Sequence, residues 1–114
     1  MSRGLQAVYK LICMENGKAI YAYSGDNFSY PFDEKQARSY DGQIEIMFSA
    51  FDNVENNIDA PDLVKTGVVN IIKECYYAEK NIYGIDILAL MTVRSILRKH
   101  KETLQIPKEG HWIV

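Results

Sequence analysis

Arg94, Arg98 and Lys101 recur at i, i+4 and i+7 in VRSILRKHK, so a helix there sets three cations on one stripe. Such a stripe has three uses. It complements the negative end of a helix dipole, meets an acidic protein partner, or contacts phosphate groups. Nucleic acid is the less favoured partner. No aromatic or glycine motif is interleaved with the run, and the formal net charge of the chain is −2.

A second set of candidates is acidic and aromatic. In SGDNFSYPFDEKQARSYDG, running from Ser24 to Gly42, Asp26, Asp33, Glu34 and Asp41 surround Phe28, Tyr30 and Phe32. If folding brought these carboxylates together, they would suit the acid–base chemistry of a small enzyme. The three aromatics at period two suit either a lid on the domain or an exposed recognition loop, with Pro31 restricting the segment to an edge.

Other chemistry has no signature in the sequence. His100 and His111 have no neighbours at metal-ligand spacing, and HExxH, GxSxG, Walker and dinucleotide-binding patterns do not occur. No catalytic, cofactor-binding or metal-binding residue is therefore assigned, and an enzyme ranks behind a binding protein. Cys13 and Cys75 stand far apart and outside any CxxC, the usage of two reduced thiols in a cytoplasmic protein. The N-terminal apolar stretch is broken by Gln6 and Lys10, and no run approaches the ~20 apolar residues of a membrane helix. Hydrophobic residues make up 47% and charged residues 25% of 114 residues, which suits one soluble domain over residues 1–114. The abundance of Tyr, Ile, Asn and Lys points to an AT-rich coding sequence and a bacterial or phage source.

The elements that must position these residues follow from period. Asn16-Gly17 predicts a two-residue hairpin between strands at 5–14 and 18–24. Simple pairing sets Glu15 opposite Lys18, Cys13 opposite Ile20 and Leu11 opposite Ala22. It directs Tyr9, Leu11, Cys13, Ile20 and Ala22 to the core, and Lys10, Ile12, Met14, Tyr21 and Tyr23 to the wetter side. Ile44, Ile46 and Phe48 alternate in a third strand at 43–49. Asp33 and Gln36 mark a short helix over 33–39.

Asp59 as cap and Pro61 in the first turn open a helix over 60–81. Its apolar arc is Val64, Val68, Ile71, Cys75, Ala78 and Ile82, although GVVNIIK also suits a strand over 67–73. Asp86 caps a second helix over 85–104, with Ile85, Ala89, Val93, Ile96, Leu97 and Leu104 on one face and Ile87 and Met91 on the side of Arg94 and Arg98. Trp112 anchors the tail, which allows a fourth short strand.

The expected fold is α+β and two-layered, a three-stranded antiparallel sheet packed against two consecutive helices. The expected function is a non-catalytic interaction domain: an adaptor, a regulator, or an inhibitor resembling an immunity protein. Its surface would be drawn from Phe28, Tyr30, Phe32, Ile87, Met91, Arg94, Arg98 and Lys101, and its partner is another protein or a second copy in a homodimer. The alternatives are a nucleic-acid accessory protein and a small enzyme of the 26–41 segment.

Overall fold

Asn16 and Gly17 adopt φ of 52° and 76°, the positive values that a type I′ turn requires at both central positions. They join β1 (Leu5–Glu15) to β2 (Lys18–Asn27), with Glu15 opposite Lys18 and Cys13 opposite Ile20. The computed structural model describes residues 5–27, 39–52, 54 and 58–113.

Beyond Cys13 the simple register fails. A bulge between Leu11 and Cys13 inserts one residue, so Leu11 faces Tyr21 instead of Ala22. One extra residue reverses the side on which every later pair lies. Tyr9, Tyr21 and Tyr23 therefore share the inward face and are all fully buried. The expectation that Tyr21 and Tyr23 lie on the wet side, with Ile20 and Ala22 inward, is corrected by this bulge.

β3 (Gly42–Met47) pairs with β2, β4 (Val69–Lys73) with β3, and β5 (Glu109–Ile113) with β1. The order is β4-β3-β2-β1-β5, and every pair is antiparallel. The α+β class stands, but the three-stranded sheet becomes a five-stranded one.

The main cause lies in residues 60–81, which are not one helix. Asp59 accepts a hydrogen bond from the Asp62 amide at 3.1 Å and caps α2 (Ala60–Lys65). The helix then stops at Gly67, whose φ of +80° is open to glycine at little cost. After this break Val69 and Ile71 turn inward as strand residues beside Ile46 and Ile44. A run rich in β-branched residues fits that pleated surface better than a helix.

α3 (Ile87–Thr103) lies on the inward face, with α1 (Ser49–Asp52) and α2 packed beside it. Leu88, Ala89, Val93, Ile96 and Leu97 of α3 meet Tyr21, Tyr23, Ile44 and Ile46 of the sheet in one cluster. Burying each large aliphatic side chain contributes about 1.5–3 kcal/mol, against about 0–1 kcal/mol for a surface ion pair such as the half-buried Lys18–Glu45 at 3.2 Å. The apolar layer therefore holds the helix on the sheet. Leu104 is a further correction. It ends α3 at φ 60° and is 82% exposed, so it does not join the inward face. No helix of the described residues is long and apolar enough to cross a membrane.

Candidate functional site

Three polar contacts align α3 with the edge of the sheet. The Trp112 indole N–H donates to the Thr92 hydroxyl at 2.8 Å. The Tyr9 hydroxyl lies 3.4 Å from that of Ser95, and Tyr9 pairs with Gly110 in the sheet. Lys99 Nζ donates to the Glu109 carbonyl at 3.0 Å. Residues 92, 95 and 99 thus meet β5 in the order 112, 110 and 109, so helix and strand run antiparallel, side by side. The spans agree: seven helical residues rise about 10.5 Å, and three strand residues cover about 10 Å.

A groove of about 550 Å³ lies between α3 and β5. Its wall carries Met91, Arg94, Ser95, Arg98, Lys99 and Glu102 from the helix, and Tyr9, Gly110, His111 and Trp112 line the sheet side. The size falls within the range of sites that take a ligand or a segment of chain. Glycine at 110 is a packing requirement, because a Cβ there would strike the Tyr9 ring and hydroxyl.

The charge of the groove is unbalanced. Among the described lining residues, Arg94, Arg98 and Lys99 face one carboxylate, that of Glu102. Among the described residues neither arginine has an ion pair or hydrogen bond, and Arg94 Nε is buried without a partner. An arginine presents its donors in a fixed fork suited to carboxylate or phosphate. Two forks on successive turns, unsatisfied at a groove, can receive an anionic ligand.

A second polar cluster is sealed inside. Asp86, at the N-terminus of α3, accepts from the amides of Leu88 and Glu79 at 3.0 Å and of Ala89 at 3.3 Å. The Tyr23 hydroxyl donates to Asp86 at 2.7 Å and accepts from the Cys75 amide at 3.3 Å. Burial raises the Asp86 carboxyl above the usual Asp range, and the Tyr23 and amide donors oppose that shift. Burial and the Asp86 charge push the Cys75 thiol up to about 12 and raise Tyr23 as well. The cluster ties β2, the turn before α3 and the helix cap together. With Asp86 and Tyr23 fully buried, it offers nothing to a substrate.

Among the sequence-predicted residues, Met91, Arg94 and Arg98 come together in the groove. Ile87 is half-buried at the start of α3, outside the groove lining, and Lys101 is exposed outside it too. Phe28, Tyr30 and Phe32, and the helix expected over 33–39 up to residue 38, lie outside the described residues. Among the carboxylates of that segment, only the side chain of Asp41 is described. One of its oxygens accepts from the Tyr76 amide at 3.0 Å, and the other is buried without a partner.

Half-buried His100 packs edge-on against Phe51 at 5.0 Å, a core contact. Sequence reasoning did not assign Ser95, Gly110 or His111 to a site. A hydroxyl one residue after Arg94 and a glycine in the tail were the available signals, and neither means anything until β5 is placed beside β1. Comparison with family models, with characterised proteins and with solved structures finds no match.

Proposed function

We propose that this protein is a non-catalytic cytoplasmic interaction domain whose groove between α3 and β5 receives a negatively charged partner. The observation that carries this reading is the pair Arg94 and Arg98, side by side on one wall and without a counter-ion among the described residues. The desolvation of Arg94, seen in its buried Nε, is offset only when an acceptor arrives, and the exposed Arg98 adds its charge one turn on. The strongly perturbed groups Asp86, Tyr23 and Cys75 are occupied in holding the fold, which favours binding over catalysis. Both cysteines are unpaired, as in a reducing compartment.

Nucleic acid is the second reading, since phosphate also fits the arginine forks. It is less favoured because the Tyr9 and Trp112 rings are both buried, which leaves the His111 imidazole as the one exposed ring among the described lining residues, too little for successive bases to stack on. The test is titration with short polyglutamate, followed through the arginine Nε–H signals in NMR. The expected result is a salt-sensitive shift of the Arg94 and Arg98 signals together with the backbone amides of Gly110 and His111, and no shift of those two amides in the Arg94→Gln, Arg98→Gln double variant. A response confined to other parts of the surface refutes the assignment of the groove.

A further inference from the structure

Resting on that reading, we infer that the partner is an extended acidic segment of another protein, which adds a sixth strand to the free edge of β5 and sets alternate carboxylates against Arg94 and Arg98. β5 is outermost among the described strands of the sheet. The Leu11 amide donates to the Lys108 carbonyl at 2.7 Å, which makes Lys10 and Glu109 a non-hydrogen-bonded pair of the antiparallel ladder. Pairs alternate along the ladder, so His111 opposite Val8 and Ile113 opposite Gln6 are of the same kind. The N–H and C=O groups of His111 and Ile113 therefore point away from β1, toward the place of a further strand. The Glu109 carbonyl points the same way, and Lys99 takes it as a partner.

The spacing of the charges matches a strand. Arg94 and Arg98 are one turn and a fraction apart, a rise of about 6 Å. Alternate side chains of a strand recur at about 6.7 Å on one face. Because α3 runs alongside β5, a strand added there passes its inward side chains along the helix wall that holds both arginines. A segment of the form Glu-x-Glu satisfies both forks while its backbone satisfies the edge.

A second copy of this chain fits less well. Two β5 strands paired about a two-fold axis bring both α3 helices to the same side of the joined sheet. Arg94 and Arg98 of each copy then face those of the other, with Glu102 as the one acidic residue among the described lining of each groove.

The probe is the blocked peptide Thr-Glu-Val-Glu-Val-Glu-Thr, compared with Thr-Val-Glu-Glu-Glu-Val-Thr, which has the same composition without the alternation. Amide hydrogen exchange and NMR titration are recorded on the whole chain. The expected result is that the alternating peptide slows exchange at His111 and Ile113 at least tenfold at saturation and binds about tenfold tighter than its isomer. Arg94→Gln and Arg98→Gln should each weaken it about tenfold, while Lys101→Gln, outside the groove, leaves it unchanged. Circular dichroism melts confirm that the variants stay folded.

Shifts at the arginines without protection of the two amides overturn strand addition and leave the anionic groove standing. No response of the arginines to either peptide or to polyglutamate removes both readings. Tighter, Arg94-dependent binding of single-stranded oligo-dT replaces the acidic segment with nucleic acid. Protection of the two amides in the protein alone, with a dimer in sedimentation, replaces it with a second copy.

Discussion

Replacing Tyr23 with Phe deletes one oxygen from the buried polar cluster around Asp86 and leaves its ring in place. Two hydrogen bonds go with it. Asp86 loses the donor at 2.7 Å, and the Cys75 amide loses its acceptor at 3.3 Å. Asp86 keeps the Leu88, Ala89 and Glu79 amides, so the helix cap survives in weakened form. A hydrogen bond to a charged group contributes about 1.5–3 kcal/mol, and an orphaned buried amide adds to the loss. The expected destabilisation at neutral pH is about 2–3 kcal/mol, a large share of the ~5–15 kcal/mol of a typical domain. Urea denaturation should show a midpoint lower by about 1–2 M at unchanged slope.

The pH dependence sharpens this test. Burial sets the folded pKa of Asp86 above its unfolded value. The folded state therefore holds that proton more tightly, and the stability linked to it is complete below about pH 4 and lost as pH rises through the folded pKa. The Tyr23 hydroxyl is one of the donors that limit the rise. Removing it lifts the folded pKa further, so the deficit of Tyr23→Phe should be smallest near pH 3 and grow toward neutral pH. Asp86→Asn should remove the part of the pH slope that Asp86 contributes, and with it the pH dependence of the Tyr23→Phe deficit. A deficit below about 0.5 kcal/mol at neutral pH, or one that does not change with pH, refutes the view that a buried carboxylate organises this end of α3.

Other expectations concern the groove and the thiols. Trp112→Phe removes the indole bond to Thr92 and should cost about 1–2 kcal/mol, with faster amide exchange at Gly110 and Trp112 as the local readout. Gly110→Ala drives a Cβ into the Tyr9 ring and hydroxyl, and should cost about 1–3 kcal/mol by equilibrium unfolding. A disulfide reagent should modify Cys13 in the native protein and reach Cys75 only on denaturation, because the Cys75 thiol is buried and pushed up to about 12. Rapid native reaction of both thiols would count against that placement.

Local chemistry made part of this structure legible in the sequence. Asn16-Gly17, the caps Asp59 and Asp86, and the alternation of Ile44 and Ile46 each act within a few residues, and each forms as its chemistry dictates. Long-range registration was not legible. The bulge beside Ile12 has no composition of its own, yet it decides that Tyr21 and Tyr23 are core. Residues 64–82 carry an apolar arc at the helical period, but Gly67 and the β-branched run give 69–73 to the sheet. In the site, the i, i+4 spacing of Arg94 and Arg98 was visible from the start. Its second wall was not, because β5 pairs with β1 across about a hundred residues of chain.

The two polar clusters act on the same helix from different ends. Asp86 fixes the N-terminus of α3 through Tyr23 and the turn amides, and this sets where the helix begins above the sheet. Thr92, Ser95 and Lys99 then fix its direction along β5. With start and direction both set, Arg94 and Arg98 have one place to stand, on the side that faces the open edge. Their position is thus a consequence of buried contacts that touch neither guanidinium. That arrangement separates stability from binding: Arg94→Gln and Arg98→Gln remove charge without touching the anchors, whereas Trp112→Phe loosens an anchor and leaves both arginines in the chain. If a partner needs the arginines held beside a strand edge, both kinds of change weaken it. If it needs positive charge alone, the arginine changes weaken it and the loosened anchor does not.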